Sequence, residues 1–305
     1  MATYHFHQLD VFTTTPLAGN PLAVFPDARG LDAATMLALA REMNLSETTF
    51  VFPSASATRH VRFFTPAAEI PLAGHPTIGT WWALAELGLL PDLPSAGVHR
   101  VTQETGRGVL PVDIELHAGR PTTVEMTQAR PEWGAVVSDR AGLARALGGA
   151  PDLLADGPPP QVVSTALPQL MVPVRGRAAL AALPSGGMGG ELAALLRALG
   201  SDCAMLYAAG ETTGTTAHCR MFAPGLGVTE DPATGSAAGA LGAYLVRHGA
   251  AVPADGEVRL SFEQGVEIGR ASRIAVRVRC NLTGDISEVL VGGAAVRVIT
   301  GDVTL

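Results

Sequence analysis

Glu69-Ile70-Pro71-Leu72-Ala73-Gly74-His75-Pro76-Thr77 and Glu230-Asp231-Pro232-Ala233-Thr234-Gly235-Ser236-Ala237-Ala238 are two versions of one short motif, 161 residues apart. An aromatic-x-Pro sequence precedes each copy (Phe64-Thr65-Pro66 and Phe222-Ala223-Pro224), and an apolar helical pattern follows each. This recurrence predicts a duplicated unit with a glycine at the start of a helix. The first amides of a helix have no intrahelical acceptor and carry partial positive charge. Two such helix starts facing one cleft would therefore bind a small anion.

The composition argues against a nucleic-acid or membrane partner. A chain of 305 residues has room for two domains of about 150 residues each. Its 21 basic and 28 acidic residues give a net charge of −7, whereas nucleic-acid binding needs a basic face. The most apolar windows, 80–90 and 237–246, are shorter than the roughly 20 residues of a membrane span. The first residues run straight into a strand-like pattern without a leader signature, so we expect a cytoplasmic protein.

The rest of the chain alternates strands with few helices, and the order of elements is similar in both halves. We predict a break near 118–120, a hairpin around Gly106 and a Gly-rich joint over 186–190. The apolar spacing predicts helices over 33–43 (with Asp32 as its cap), 76–87, 139–147, 191–199 and 237–248. Mixed strands with one long helix per half indicate an α+β fold, in which each half wraps a curved sheet around its helix.

The polar residues at the two helix starts are the strongest candidates for substrate binding. Gly74 and Gly235 allow close approach of a ligand to the backbone, and His75 and Ser236 add polar side chains beside them. The alternative is that the glycines are ordinary N-cap residues and that Ser236 only caps its helix. The recurrence of the motif in both halves favours the functional interpretation.

Two carboxylates are candidates for proton transfer. Glu47 follows a helix end and precedes a Thr-Thr-Phe-Val-Phe strand, so partial desolvation would raise its pKa and suit general acid/base catalysis. The alternative is an exposed loop glutamate. Asp231 precedes a helix, where acidic residues are also favoured by the helix dipole alone.

The sequence contains no signature of a metal or an organic cofactor. The histidines show no ligand spacing, and the three cysteines are widely separated and lack a Cys-x-x-Cys pattern. No Gly-x-Gly-x-x-Gly follows a strand. We therefore expect no metal site and no cofactor.

Taken together, the motifs resemble the PhzF-like family, named for a phenazine-biosynthesis isomerase, within the diaminopimelate-epimerase-like fold. The resemblance extends over nearly the whole chain, to the closing Val291-Gly292-Gly293. Besides the two helix-start motifs and their aromatic-x-Pro sequences, the matching segments are Asp10-Val11-Phe12-Thr13, Gly19-Asn20-Pro21-Leu22-Ala23-Val24 and Asn44-Leu45-Ser46-Glu47-Thr48.

The resemblance implies two barrel-like halves, each with a curved mixed or antiparallel sheet around a central helix, and an active site in the cleft between them. The implied domains are 1–118 with 294–305, and 119–293. The implied proton donor and acceptor is Glu47, which His75 and Asp231 support. The residues implied to bind substrate are Ser46, Gly74, Gly235 and Ser236. Family members are often homodimers, so we expect a homodimer.

One departure from the wider fold restricts the chemistry. Racemases and epimerases of this fold use two cysteines, one before the glycine of each helix start. This chain has Ala73 at the first place and Ala233 or Thr234 at the second, so two-thiol chemistry is not available.

We therefore expect a cofactor-independent isomerase that moves a carbon-bound proton on a small carboxylic acid. Two alternatives stay open. One is an epimerase or racemase of an amino-acid-like substrate, and the other is a non-catalytic small-carboxylate-binding protein. The sequence identifies neither the substrate nor a part in phenazine synthesis.

Overall fold

The computed structural model describes residues 1–185 and 189–305, so part of the Gly-rich joint predicted over 186–190 lies outside the described residues. The chain divides into two compact units. The first comprises Met1–Met126 with Gly292–Leu305, and the second comprises Thr127–Val291. Each is a mixed sheet with few helices, which confirms the predicted α+β fold of two similar halves.

The first unit consists of one mixed sheet and two helices. Its elements are β1 (Thr3–Val11), β2 (Asn20–Phe25), α1 (Ala33–Met43), β3 (Glu47–Phe52), β4 (Arg59–Phe64), β5 (Glu69–Ile70), α2 (Gly74–Glu86), β6 (Gly97–Thr105), β7 (Gly108–His117), β8 (Arg120–Thr127) and β18 (Ala295–Thr304). The strands pair in the order β18-β1-β2-β3-β4-β6-β7-β8, with β5 also beside β4. Only the pairs β2–β3 and β4–β6 are parallel.

The sheet of the first unit curves around α2. This helix packs against β1, β2, β3, β7 and β18, which include strands from both ends of the sheet. Every α2 residue from His75 to Ala85 is buried. At Gly79 an added Cβ would lie 2.6 Å from a methyl carbon of Leu22 and 2.7 Å from one of Val11. Glycine therefore lets the helix approach the sheet closely.

The second unit repeats this plan with two additional short helices. Its elements are β9 (Glu132–Val136), α3 (Arg140–Ala146), β10 (Gln161–Ser164), β11 (Pro168–Pro173), α4 (Arg177–Ala181), α5 (Gly190–Ala198), β12 (Cys203–Ala209), β13 (Ala217–Ala223), β14 (Val228–Asp231), α6 (Gly235–Arg247), β15 (Glu257–Gln264), β16 (Ser272–Cys280) and β17 (Ile286–Gly293). The strands pair in the order β9-β10-β11-β12-β13-β15-β16, with β14 also beside β13. The pairs β11–β12 and β13–β15 are parallel, and α6 packs against β10, β11 and β16.

The strand registers show which residues of the two units are equivalent. The first residue of β3, Glu47, pairs with Leu22, and the first residue of β12, Cys203, pairs with Gln169. In both units the next residue pairs with the phenylalanine of the aromatic-x-Pro sequence. Glu47 is therefore equivalent to Cys203, and Leu22 is equivalent to Gln169.

A second repeat lies just before the helix-start motif, on β4 and β13. His60-Val61-Arg62-Phe63-Phe64 corresponds to His218-Cys219-Arg220-Met221-Phe222. In each copy the guanidinium group lies over the last phenylalanine and binds both oxygens of the glutamate that opens the motif. The bonds are Arg62 to Glu69 at 2.6 and 2.7 Å, and Arg220 to Glu230 at 2.7 and 2.9 Å.

The smaller helices cover the outer faces of the sheets. α1 packs against β3 and β4, and its predicted cap is confirmed, because Asp32 Oδ1 accepts the Thr35 amide at 2.8 Å. The sequence does not predict α4. No helix among the residues 1–185 and 189–305 is long and apolar enough to cross a membrane.

The two central helices begin two residues earlier than the sequence predicts. The apolar pattern places their starts at Pro76 and Ala237, but α2 begins at Gly74 and α6 at Gly235. The residues before the glycines have extended backbone and serve as N-caps: Ala73 in the first unit and Thr234 in the second. Both glycines are therefore in the first turn of their helix.

Candidate active site

In the first unit, Glu47 is held at the start of β3. The preceding helix α1 ends at Met43, and the left-handed backbone of its C-cap Asn44 (φ +50°) turns the chain back towards the sheet. The Glu47 side chain is 19% exposed, and its Oε2 is buried with no hydrogen-bond donor among the described residues. Glu47 is therefore not the exposed loop glutamate of the alternative interpretation.

Burial raises the pKa of Glu47, and a hydrogen bond from Ser46 opposes that shift only in part. A carboxylate that loses its hydration without gaining a cation is more easily protonated. Ser46 also donates a 3.4 Å hydrogen bond to the side-chain oxygen of the buried Asn20. The predicted residues Ser46 and Glu47 are adjacent in the sequence but differ in exposure. Ser46 is exposed, whereas the Glu47 side chain is mostly buried.

The start of α2 brings His75 to Glu47. Nε2 of the imidazole lies 3.5 Å from Oε2 of the carboxylate, and the His75 side chain is only 8% exposed. No side chain caps α2, and its first turn contains no acidic residue. Gly74, the first residue of the helix, is half-buried. The first turn of α2 therefore presents backbone donors next to a buried acid and an imidazole.

In the second unit, Asp231 ends β14 next to the cap of α6. Its Oδ2 accepts a hydrogen bond from the Thr234 hydroxyl, and its backbone oxygen accepts one from Gln264 at 2.7 Å. Burial and the negative charges of Asp202 and Asp231 raise the pKa of Cys203 to about 12. The thiol equivalent to Glu47 is therefore protonated at neutral pH and is a poor base.

Ser236 is the second residue of α6 and is half-buried. Its Oγ accepts a 2.9 Å hydrogen bond from the side-chain amide of Gln169, and its backbone oxygen accepts one from Thr165 at 3.3 Å. Thr234 is the N-cap of α6 and no side chain caps the helix. The alternative in which Ser236 only caps its helix is therefore wrong. Gly235 is buried at the first position of the helix.

Two groups of interacting residues were not predicted from the sequence. One is the pair of Gln169 and Ser236, for which a lone glutamine in a strand carries no signal. The other surrounds the buried His218, whose two ring nitrogens lie 2.9 Å from Glu263 and 2.7 Å from Glu267. The repeated His-x-Arg-x-Phe sequence would have pointed to the second group. Within 1–185 and 189–305, no cluster of three His, Cys, Asp or Glu side chains is arranged to hold a metal ion.

Comparison with known proteins assigns the family. The model of the phenazine biosynthesis-like protein family, PhzC-PhzF, matches residues 9–301. The trans-2,3-dihydro-3-hydroxyanthranilate isomerase of Pseudomonas chlororaphis is 37% identical over 305 residues, which cover 99% of this chain and 100% of that protein.

Solved structures agree with the sequence comparison. A Bacillus anthracis phenazine biosynthesis protein of the PhzF family superimposes with a TM-score of 0.88 at 29% identity, covering 100% of both chains. A probable proline racemase from Agrobacterium radiobacter shares the fold at a TM-score of 0.67 and 16% identity, covering 99% of this chain and 93% of that one. The match of the family model over nearly the whole length and the full-length isomerase relative show that this chain belongs to the PhzC-PhzF family and is an isomerase.

Proposed function

We propose that the chain is a cofactor-independent isomerase that moves a proton between two carbons of a small carboxylic acid, with Glu47 as the general acid/base. The observation that carries this proposal is the buried Oε2 of Glu47, 3.5 Å from the His75 imidazole. A base is most effective when its pKa approaches the ambient pH, and burial shifts Glu47 in that direction.

In the proposed reaction, Glu47 acts twice. Its carboxylate takes a proton from one carbon of the substrate, and the electron pair of that C–H bond is delocalised through the neighbouring double bond towards the substrate carboxylate. The resulting glutamic acid returns the proton to a different carbon, so the double bond moves and no co-reactant is consumed. His75 positions the substrate and assists the transfer.

The substrate carboxylate would be bound by donors at the helix starts. The candidates are the amides of Gly74 and His75 in the first unit, and those of Gly235 and Ser236 in the second. Such donors also stabilise the enolate-like charge that develops when the carbon loses its proton. Asp231 would position the substrate, and Ser46 would contribute a hydrogen bond beside Glu47.

The substrate class is proposed from the relatives. The compound named for the Pseudomonas chlororaphis relative is a cyclohexadiene carboxylate. Loss of a ring proton from such a compound gives an anion that is conjugated through the double bonds. Glu47 Oε2 is shielded from solvent, and exclusion of water around a reacting group strengthens its electrostatic interactions with a bound substrate.

The test is to incubate trans-2,3-dihydro-3-hydroxyanthranilate with the protein in heavy water and to locate the incorporated deuterium. Glu47→Gln should reduce enzyme-dependent incorporation at least 100-fold, which is a typical contribution of a general acid/base. Glu42→Gln removes the same charge from an exposed site on α1 and should change nothing. Unchanged incorporation in Glu47→Gln would remove that residue from the mechanism.

A panel of amino acids and other small carboxylic acids run in parallel separates the alternatives. Deuterium at an inverted α-carbon would indicate an epimerase or racemase. Carboxylate binding without any exchange would indicate a binding protein. The homodimer is part of the proposal and is tested by light scattering on the purified protein.

A further inference from the structure

Gln169 is a buried polar residue that the proposed reaction does not yet use. Its side chain is 0% exposed on β11, and its Nε2 donates a 2.9 Å hydrogen bond to Ser236 Oγ. Its Oε1 is also buried, and no described residue donates a hydrogen bond to it. A buried amide with an unsatisfied oxygen destabilises a folded protein. Gln169 is therefore not explained by stability.

The first unit shows that the fold does not require a polar side chain at this position. The equivalent residue is Leu22, which is 0% exposed and packs against the central helix at Gly79. The same strand, in the same register, thus has an apolar side chain in one unit and a half-satisfied amide in the other. The unit that has Gln169 in place of leucine also has Ser236 at the position equivalent to His75.

The hydrogen bond determines which way the Ser236 hydroxyl points. A serine hydroxyl has one proton to donate and lone pairs with which to accept. Because Gln169 donates to Ser236 Oγ, the serine proton is directed away from Gln169. Ser236 is half-buried whereas Gln169 is fully buried, so the amide supports the hydroxyl from the protein side and the proton is left for a ligand.

We infer that Gln169 is a positioning residue that orients the Ser236 hydroxyl as a hydrogen-bond donor to the carboxylate of the substrate. This inference rests on the proposed function only in assigning the anion to the start of α6. Gln169 acts through Ser236 and does not touch the reacting atoms. Leucine at position 169 would leave the Ser236 hydroxyl free to rotate. Glutamate would accept a hydrogen bond from that hydroxyl and so direct its proton away from the substrate.

The experiment is a double-mutant cycle on the full-length protein with Gln169→Leu, Ser236→Ala and the double variant. The readouts are kcat/KM for trans-2,3-dihydro-3-hydroxyanthranilate and the calorimetric affinity for anthranilate, an unreactive aromatic carboxylate. Gln169→Leu should lower both about 10-fold, which is the scale of one lost anion hydrogen bond. The double variant should be within about twofold of Ser236→Ala, because residues that act as a unit are not additive. Gln169→Glu should be worse than Gln169→Leu.

Thermal melting separates a positioning role from a structural one. Gln169→Leu should melt at or above the wild-type temperature, because the buried amide is replaced by the residue that the first unit has. The matched control is Gln161→Leu, which removes a buried glutamine that bonds Gly134 and His248 and should lower the melting temperature without changing kcat/KM. Additive losses in the cycle, or a lower melting temperature with normal affinity in Gln169→Leu, would overturn the inference.

The binding arm is independent of Glu47. If Glu47→Gln were fully active while Gln169 and Ser236 remained coupled in anthranilate binding, the proposed function would fail and the inference would stand. The converse result, inactive Glu47→Gln with additive losses at 169 and 236, would refute only the inference.

Discussion

The repeated arginine–glutamate pair allows the effect of burial on the contribution of an ion pair to stability to be measured within one protein. Both pairs have the same bidentate geometry, but their environments differ. The side chains of Arg220 and Glu230 are 0% and 2% exposed, whereas those of Arg62 and Glu69 are 24% and 41% exposed. We predict that Glu230→Gln destabilises the protein far more than Glu69→Gln does.

The magnitude follows from what each change leaves behind. Arg220 uses all five of its N–H donors: Nε and one N–H of Nη2 go to Glu230, and the other three go to Ser185 Oγ and the backbone oxygens of Leu180 and Leu183. Loss of the glutamate charge leaves this buried guanidinium without the carboxylate that pairs with it, which costs about 3–5 kcal/mol. An exposed pair such as that of Glu69 contributes about 0–1 kcal/mol.

Urea unfolding of the wild type and both variants at neutral pH gives the two free-energy differences. Hydrogen exchange identifies the region that each variant destabilises. Amide protection should be lost around β13 and β14 in Glu230→Gln and be unchanged around β4 and β5 in Glu69→Gln. Urea is preferred to guanidinium, which screens ion pairs. Equal losses in the two variants, or a larger loss for Glu69→Gln, would refute the argument that burial determines the importance of the pair.

Three further predictions concern ionisation and the equivalence of the units. The raised pKa of Glu47 means that the folded protein binds this proton more tightly than the unfolded chain, so stability should fall as pH rises from about 4.5 through the raised pKa. The base form appears over the same range, so kcat/KM should rise with pH there, and Glu47→Gln should remove the stability slope measured by urea unfolding. For His218, burial lowers the pKa, but hydrogen bonds to Glu267 and Glu263 outweigh it and the net pKa is raised despite the nearby Arg177. Its stabilisation should be complete below about pH 6.5 and be lost as pH rises through the raised pKa, and unfolding curves of His218→Gln should lack this alkaline loss. Glu47→Cys should melt near the wild-type temperature, because the second unit has a cysteine at the equivalent place, but should show no deuterium exchange; wild-type activity would contradict this.

The duplicated α+β fold could be predicted because its determinants are local. A glycine at each helix start, the aromatic-x-Pro sequence and the apolar helical spacing each act over a few residues, and they recur in the same order. The helix starts were two residues off because the first helical residues, Gly74 and His75, are not apolar. α4 is only five residues long (Arg177–Ala181), too short for apolar spacing to distinguish it from a loop.

The site was predictable only where residue type and local setting coincide. Burial of Glu47 was foreseeable from the apolar residues on both sides of it in the sequence. Its association with His75 was expected only from the family resemblance, because the two are brought together by the packing of β3 against α2. The pairing of Gln169 with Ser236, 67 positions apart, is a tertiary contact of the same kind. No local pattern distinguishes such a glutamine from a surface residue.

The duplication separates structural residues from candidate catalytic ones without any other sequence for comparison. Both units need the same sheet and the same central helix, so a residue with a structural role can be identical at equivalent positions of the two units. The residues that are identical in the two units include His60 and His218, Arg62 and Arg220, Phe64 and Phe222, and Glu69 and Glu230. Gly74 and Gly235 are also identical, because both helix starts are proposed to bind through their backbone amides. Among the residues that differ are Glu47 and Cys203, His75 and Ser236, Ile70 and Asp231, and Leu22 and Gln169.

Each of these four pairs includes a residue with a proposed role in binding or proton transfer, whereas other differing pairs, such as Phe63 and Met221, do not. Since the same backbone accommodates either side chain, the fold does not account for the choice between them. In the proposed function the first unit would supply the acid/base pair, Glu47 and His75, and the second would supply Asp231 and an oriented hydroxyl on Ser236.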